Sequence, residues 1–420
     1  MLKNLTVQIL LAAVLAVIAA RVLGDPSWLL APNTAYDVVL MIKAAFLAAL
    51  KMLIAPMIFF SLISGIASIG SVLKLRTLGT TTVLYYVTTT GLAIALGLIA
   101  VFWIHPWESY PPALESSLVL SESRMLDPGS DSIVAILQQL LLLAFTNPLD
   151  ALVNLNIVGI VTSALLLGIA MVVTLGETSP VFALVRDINQ IIMTVLGWVI
   201  RMLPIGIFAI IFDFTLKLGV SDTYSQSFLT QLFQFAIMVT GITLFHGFIV
   251  LPLLAWLTTG KNPIALVRAV SQPLLVAFST SSSAATLPVS MKTAQESLGV
   301  DASTSSFVLP LGATMNMDGT ALFEAVAAIF LAYLYGIELS TLMVFTVFLM
   351  AMISSIGAPG MPTASMSGMQ IVLLAVGIPL EAIAILLVIE RPLDTFRTTV
   401  NVMGDLTGSY VVQHVLDRKT

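Results

Sequence analysis

The chain has 420 residues, of which 58% are hydrophobic and 9% are charged, and its formal net charge is −5. A soluble domain carries about a quarter charged residues, so this composition excludes an ordinary soluble fold and indicates lipid as the main solvent. The lack of cysteine excludes disulfides and thiolate metal sites, and the thinly spread charge offers no basic patch for nucleic acid.

Apolar windows long enough to cross a bilayer recur along the chain. A membrane-spanning helix needs about 20 mostly apolar residues. The windows that qualify are residues 5–24, 38–70, 78–105, 156–175, 188–219, 226–258, 321–350 and 371–390. The sequence therefore predicts an all-α polytopic membrane protein, with kinks at Pro56 and Pro204. The first window is expected to be a retained span and not a cleaved signal peptide.

The distribution of basic residues predicts the orientation of the chain. Short cytoplasmic loops are enriched in Lys and Arg. Such residues flank the predicted spans at positions 3, 74, 76, 261, 268, 418 and 419, whereas the segment 106–133 contains Arg124 as its one basic residue. We therefore expect both termini in the cytoplasm, the segment 106–133 outside, and the protein in the cell (inner) membrane. Lys43 and Lys51 fall inside the second span and must snorkel or face protein.

Beyond residue 260, polar runs at 279–283, 316–320 and 354–363 interrupt the apolar spans. Non-helical backbone at membrane depth survives only where it is buried in protein or lines a polar cavity. Secondary transporters build their binding sites from such breaks. The first and third runs lie between apolar arms too short to span alone, so each predicts a re-entrant hairpin. Each precedes a span that carries acids, which indicates an inverted repeat; two unrelated surface loops are the alternative.

The last span carries polar side chains in steps of three, four and four residues, which places them on one helix face: Asp394, Arg397, Asn401 and Asp405. The planar fork of Arg397 suits a carboxylate and Asp394 suits an ammonium group, so the pair matches an acidic amino acid. A self-neutralising Asp–Arg pair is the alternative. Hard cations prefer carboxylate and amide oxygens. The stripe and the 316–320 run both offer them, although satisfied polar residues at helix contacts are the alternative.

These motifs resemble those of the dicarboxylate/amino acid:cation symporters, a family that includes archaeal aspartate transporters and animal excitatory amino acid transporters. Four motifs carry the resemblance in the same order and spacing: the serine run 281–283 with 286–288, then 316–320, 357–362 and 394–405. The first half of the chain matches mainly in its span pattern and at Tyr85, Tyr86, Thr89 and Thr90. The resemblance covers essentially the whole chain.

The resemblance implies eight transmembrane helices and two re-entrant helical hairpins, arranged as inverted repeats in an elevator-type homotrimer. Residues 1–76 would form scaffold helices 1 and 2, and residues 134–225 would form scaffold helices 4 and 5. Residues 77–110 would form helix 3 of the moving transport domain. Residues 226–420 would form the core of that domain, namely helix 6, hairpin 1, helix 7, hairpin 2 and helix 8. Residues 111–133 would form an extracellular loop.

The resemblance also implies the substrate-binding residues, which are Ser282, Ser283, Thr320, Gly360, Asp394, Arg397, Thr398 and Asn401. Arg397, helped by Thr320, would hold the side-chain carboxylate of the substrate. Asp394 would hold its amino group. Asn401 and the backbone at the two hairpin tips would hold the α-carboxylate, and the second hairpin would be the extracellular gate.

Three sodium sites are implied in the same way. The first would use Asp405 and Asn401 with the carbonyls of Gly312 and Asn316. The second would use Tyr86, Thr89, Thr90, Asn316 and Asp318. The third would use carbonyls near Thr314, Met317, Ser355 and Ala358.

Two positions depart from the family pattern. Archaeal members carry an arginine at the position of Ser281 and animal members at the position of Thr395. We therefore hypothesise that Arg391, one turn before Thr395, takes that role and pairs with Asp394 or Glu390 in part of the cycle. Glu324 stands where archaeal members have glutamine and proton-coupled animal members have glutamate. A carboxyl among apolar neighbours can hold a proton at neutral pH. A proton is therefore predicted to travel with the substrate, the alternative being a neutral structural glutamate.

The sequence thus predicts a symporter of L-glutamate or L-aspartate driven by sodium, protons or both, with no covalent cofactor. Family members that carry dicarboxylates lack the acid matching Asp394, and those that carry neutral amino acids lack the arginine matching Arg397. A C4-dicarboxylate carrier and an ion channel are the alternatives. A membrane serine hydrolase is disfavoured, because the histidines at 105, 246 and 414 are expected to lie far from the motifs and the serine run lacks a Gly-x-Ser-x-Gly turn.

Overall fold

In this computed structural model, all the regular elements of the described residues are helices. The described residues are 5–29, 31–67, 78–104, 138, 141–176, 178–218, 222–335, 337, 339–357, 365–378 and 382–418. The predicted extracellular segment 106–133 lies outside them, as do Ala358 and Gly360, to which the sequence assigned roles in binding.

The helices of the first half are α1 (Leu5–Val22), a 3₁₀ turn (Pro26–Leu29), α2 (Thr34–Ala67), α3 (Thr80–Ile104), α4 (Pro148–Val153), α5 (Ile157–Thr174), α6 (Pro180–Arg201) and α7 (Leu203–Leu218). The second half contains α8 (Asp222–Phe245), a π-helical turn (His246–Val250), α9 (Leu251–Thr259), α10 (Pro263–Ala269), α11 (Ser271–Thr280), α12 (Ser283–Glu296), α13 (Ala302–Met315), α14 (Asp318–Leu334), α15 (Thr341–Gly357), α16 (Ser365–Val376) and α17 (Ile383–Asp417).

The helices sort into two groups by their packing. In the first group, α2 packs against α5, α6 and α7, and α1 packs against α7. In the second group, α17 packs against α11, α12, α13 and α14, while α14 also packs against α3. The second group thus brings α3 out of the first half of the chain and onto helices that follow residue 300.

The predicted windows 78–105 and 226–258 coincide with long apolar helical stretches, whereas others are broken. Among the described residues, four helical stretches are long and apolar enough to cross a membrane: 80–104, 180–199, 230–259 and 302–334. A fifth arises if the bent pair α10 and α11, which meet at 57°, counts as one. The windows 321–350 and 371–390 are not single spans, and this part of the prediction is wrong. The first is interrupted between Leu334 and Thr341, and the second after Val376, where Gly377 adopts a φ of +76°.

The predicted kink at Pro204 is a complete break. The helix α6 ends at Arg201, and Pro204 is the second residue of α7. Proline lacks the amide hydrogen that a continuing helix needs, but it fits the first turn of a new one. The window 188–219 therefore contains two helices. Pro56 instead lies inside α2, which continues through it from Thr34 to Ala67.

The two serine- and glycine-rich breaks separate pairs of short helices that pack on each other. The arms α11 and α12 have 10 and 14 residues, and α15 and α16 have 17 and 12. At 1.5 Å per residue, three of these arms fall well short of a 30 Å hydrocarbon layer. At the first tip, Ser281 adopts a left-handed conformation with φ of +50° and ends α11. Ser282 then caps α12 by accepting a hydrogen bond from the Ala285 amide at 3.2 Å.

The span formed by α13 and α14 is broken in its middle. Asn316 and Met317 leave helical geometry, with ψ of 78° and 58°. The carbonyl end of α13 and the amide end of α14 therefore meet inside the protein. The stretch 302–334 is 94% buried over its most apolar window. Gly97 of α3 allows close packing here, because a Cβ at that position would lie 2.9 Å from Val326 of α14.

A buried polar cluster joins α2 to α7 within the first group. Asp213 of α7 is 2% exposed. Lys43 places Nζ 2.7 Å from Asp213 Oδ2, and the hydroxyl of Tyr36 donates to Oδ1 at 2.5 Å. Lys43 therefore faces protein, which is one of the two outcomes expected for a lysine inside the second span. The side chain of Lys51 lies outside the described part.

Candidate substrate and cation site

The first carboxylate of the site is Asp318, which begins α14. Its side chain is fully buried. Oδ1 accepts hydrogen bonds from Thr90 at 2.7 Å and Thr89 at 3.3 Å, both on α3. Oδ2 lies 3.0 Å from Nε2 of His246, in the π-helical turn. A carboxylate at a helix N-terminus is stabilised by the helix dipole, and α3 adds hydroxyl oxygens beside it.

A second carboxylate, Asp405 of α17, lies against the end of α13. Asn316 donates from Nδ2 to Asp405 Oδ1 at 3.0 Å. The backbone of Gly312 lies so close to Asp405 and Tyr86 that a Cβ at position 312 would overlap both the Asp405 carboxylate and the Tyr86 hydroxyl. Tyr86 donates to the carbonyl of Val308 at 2.8 Å. The last carbonyls of a helix lack intrahelical partners and carry its negative dipole end, so this corner is rich in oxygen and negative potential.

Within the described residues, neither Asp318 nor Asp405 has a lysine or arginine at ion-pair distance. Buried carboxylates are stable only when paired, protonated or bound to a cation. Hydroxyl, amide and carboxylate oxygens around each one match the ligands that hard cations prefer. The ligand set of this corner is therefore of the kind that hard cations prefer.

The guanidinium of Arg397 lies further toward the N-terminal end of the polar stripe on α17. Its Nη2 is 2.6 Å from Glu390 Oε1 and 3.2 Å from Asp394 Oδ1. The central guanidinium carbon, Cζ, lies 4.0 Å from the ring centre of Phe323 on α14. Arg397 is 1% exposed, yet Nε and Nη1 have no hydrogen-bond partner in the described part of the chain. Buried donors without partners are costly, so this side of the fork is ready to receive an anion.

Asn401 connects α17 to the start of α14. Its Oδ1 accepts from the Gly319 amide at 2.9 Å, and its Nδ2 donates to Thr320 Oγ1 at 3.1 Å. The side chains of Asn401 and Thr320 are both buried. Asn401 thus lies one helical turn from Arg397 on the same face, between the Arg397 guanidinium and the carboxylates of Asp318 and Asp405.

Glu324 is buried two turns into α14. Neither of its carboxylate oxygens has a hydrogen-bond partner among the described residues. Gly368 of α16 packs directly on it, since a Cβ there would overlap both Glu324 and Ser354 of α15. Both arms of the second hairpin therefore meet at Glu324.

The structure brings together most of the predicted residues. The cation corner contains Tyr86, Thr89, Thr90, Gly312, Asn316, Asp318, Asn401 and Asp405. Ser282, Ser283, Thr320 and Thr398 are buried. Ser355 shares a crevice with Tyr86 and Thr90. Thr314 donates to the Leu311 carbonyl of its own helix at 3.1 Å, and Met317 lies in the break. Arg391 Nη1 lies 3.9 Å from Asp394 Oδ2, which is one of the partners expected for it.

Two residues of the site were missed from the sequence. His246 was expected to lie far from the motifs, and that expectation is wrong, because it contacts Asp318 across 72 positions of the chain. A histidine in the middle of an apolar span was a usable signal, but no residue near it in the sequence indicates that Asp318 is its partner. Glu390 was noted as a partner for Arg391, whereas it pairs with Arg397. Their spacing of seven residues, two helical turns, was a sufficient signal.

Comparison with known proteins gives consistent matches. The sequence profile described as the sodium:dicarboxylate symporter family matches residues 5–415. An excitatory amino acid transporter of Caenorhabditis elegans is 34% identical over 407 residues, covering 87% of this chain and 79% of that protein. Excitatory amino acid transporter 2 of Rattus norvegicus is 32% identical over 463 residues, covering 98% of this chain and 79% of that protein. Excitatory amino acid transporter 5 of Mus musculus is 33% identical over 424 residues, covering 87% and 74%.

Proposed function

Because the chain belongs to the sodium:dicarboxylate symporter family, we propose that it carries an acidic amino acid, L-glutamate or L-aspartate, across the membrane together with sodium. The family is one of transporters, so the chain is a transporter and not an enzyme, and the serine run does not belong to a hydrolase.

The observation that carries the substrate assignment is the arrangement along one face of α17. Arg397 offers unpartnered donors for a carboxylate, and Asp394 lies within 3.2 Å of the same guanidinium. Asn401 follows one turn later. An acidic amino acid has two carboxylates and one ammonium group; Arg397 and Asn401 would take the two carboxylates, and Asp394 would take the ammonium group. Ser282 and Ser283 at the N-terminus of α12 would add amide donors for the α-carboxylate.

A C4-dicarboxylate is the second candidate substrate, and Asp394 argues against it. A dicarboxylate has no ammonium group, so it would leave this buried acid facing a second anion. Like charges in a buried site are strongly unfavourable. We expect aspartate and glutamate to compete for uptake far better than succinate or fumarate.

Sodium is the coupling ion that the family description names. We propose that it binds beside Asp318 and Asp405, where hydroxyl, amide and backbone oxygens converge. A proton would travel on Glu324, whose burial between the arms of the second hairpin supports this role. Arg391 is proposed to take the role of the arginine that relatives place at the positions of Ser281 or Thr395. An unchanged turnover in the Arg391→Ala variant would remove that part of the proposal.

We further propose an elevator mechanism in a homotrimer, with both termini cytoplasmic and the protein in the cell (inner) membrane. The scaffold would be residues 1–76 and 134–225, and the moving domain residues 77–110 and 226–420. The helices α1, α2, α5, α6 and α7 pack mainly on one another, with smaller contacts to α8, α13, α15 and α17, and this supports the division. A buried site carried on α3, α13, α14 and α17 supports movement of that group as one body.

The deciding experiment is uptake of labelled L-aspartate and L-glutamate into proteoliposomes, with sodium and proton gradients imposed separately. Accumulation driven by an inward sodium gradient alone supports the sodium sites. Accumulation driven only by a proton gradient would exclude sodium coupling and leave Glu324 as the proton carrier. Failure of both amino acids to accumulate under either gradient, with succinate accumulating instead, would replace the proposed substrate by a dicarboxylate.

A further inference from the structure

Glu390 and Ser365 form a buried connection between the second hairpin and Arg397. Ser365, at the start of α16, donates to Glu390 Oε1 at 3.0 Å. Arg397 donates from Nη2 to the same oxygen at 2.6 Å. Glu390 is 1% exposed, and its second oxygen has no partner among the described residues. One carboxylate oxygen is therefore fixed from two sides, and it fixes the guanidinium in turn.

The position of Glu390 determines the direction in which Arg397 is pulled. Glu390 lies seven residues before Arg397 on α17, which is about 10 Å along the helix axis at 1.5 Å per residue. Asn401 lies four residues after Arg397, in the opposite direction. The guanidinium is therefore drawn away from Asn401, and the ring of Phe323 beneath it restricts sideways movement.

The distance between Asn401 and the guanidinium decides which substrate fits. On the proposed function, the α-carboxylate lies near Asn401 and the side-chain carboxylate on Arg397. Aspartate and glutamate differ by one methylene, or about 1.3 Å of reach. A guanidinium drawn further toward residue 390 lengthens the site by a similar amount.

We propose that Glu390 is a specificity-determining residue, which sets the preference between aspartate and glutamate through the length of its side chain. It touches the substrate-binding arginine and not the substrate, so it acts by positioning. Ser365 makes this position depend on the second hairpin. The inference rests on the proposed function, because it needs an acidic amino acid on Arg397.

The test is the ratio of kcat/KM for L-aspartate to kcat/KM for L-glutamate, measured in proteoliposomes. In Glu390→Asp the shorter carboxylate draws the guanidinium toward itself, so we expect the ratio to fall by roughly threefold or more, within the range that one methylene allows. Glu390→Gln keeps the length and removes the charge, so its ratio should stay within about twofold of wild type while both KM values change. The exposed Glu296 provides a matched control: Glu296→Asp should change neither the aspartate-to-glutamate ratio nor the two KM values.

An unchanged ratio in Glu390→Asp, or an equal change in Glu390→Gln, would overturn the inference. If Glu390→Asp does not fold, Ser365→Ala replaces it, because loss of the hydroxyl frees the same carboxylate. A ratio unchanged in that variant would overturn the inference as well. Wild-type protein that transports neither amino acid would reject the proposed function instead, so the two failures are distinguishable.

Discussion

The Nε2 atom of His246 lies 3.0 Å from Oδ2 of Asp318, and neither side chain is exposed to solvent. The histidine therefore orients the carboxylate toward the hydroxyls of Thr89 and Thr90 on its other oxygen. The contact links the π-helical turn to the broken span, and it makes His246 part of the support for the proposed sodium site.

Replacing His246 with Ala should weaken sodium binding. A buried hydrogen bond to a charged group contributes about 1.5–3 kcal/mol, so the sodium concentration for half-maximal uptake should rise about tenfold or more. The measurement is the sodium dependence of aspartate uptake in proteoliposomes. His414→Ala is the matched control, because His414 lies near the end of α17. Equal sodium dependence in the two variants would contradict the role of His246.

Replacing Glu324 with Gln should abolish proton coupling. Under the proposed function the carboxyl must be protonated to travel with the substrate, so wild-type uptake should slow as the external pH rises. Gln is neutral at every pH and should give sodium-driven uptake that no longer responds to a proton gradient. Glu296→Gln, an exposed counterpart, should keep the wild-type response. A pH dependence that survives in Glu324→Gln would show that the proton travels elsewhere.

Replacing Gly312 with Ala should damage the cation corner directly. The new Cβ would overlap the Asp405 carboxylate and the Tyr86 hydroxyl, and such overpacking costs about 1–3 kcal/mol. We expect the rise in melting temperature that sodium produces in the purified protein to shrink or vanish. Gly241→Ala on α8 is the control, since nothing lies within 4 Å of the added atom. An undiminished sodium effect in Gly312→Ala would place the ion away from this corner.

Replacing Asp213 with Asn should destabilise the first helix group without changing selectivity. The substitution leaves the Lys43 ammonium facing a neutral amide in a buried site, and breaking a buried pair costs about 3–5 kcal/mol. The melting temperature should fall by several degrees, whether or not sodium is present. The exposed pair of Lys292 and Glu296 offers a comparison. Lys292→Ala breaks that pair and should leave the melting temperature unchanged. A change in the ratio of aspartate to glutamate uptake would contradict a purely structural role.

Local sequence signals predicted the parts of the site that follow from helix periodicity. The stripe from Asp394 to Asp405 lies on one continuous helix, and its period alone placed those side chains on one face. The serine-rich break before α12 and the break at residues 316 and 317 were visible because lipid-facing helices do not tolerate them.

Contacts between distant segments were beyond local patterns. Nothing near His246 indicates Asp318, and nothing near Ser365 indicates Glu390. The broken windows 321–350 and 371–390 show the same limit in the fold. Hydropathy registers apolar content and not helix ends, so a turn such as that at Gly377, between the buried Val376 and Ile378, leaves no dip in the average.

The break at Asn316 and Met317 has a thermodynamic consequence. Its two residues join the C-terminus of α13, which attracts cations, to the N-terminus of α14, which attracts anions. Asn401 holds the N-terminus of α14 by accepting a hydrogen bond from the Gly319 amide. A ligand bound on either side would restrict the same two backbone linkages, so a second ligand would meet a turn that has already lost its conformational freedom. Such coupling is reciprocal. If sodium raises the affinity for the amino acid by some factor, the amino acid must raise the affinity for sodium by that same factor.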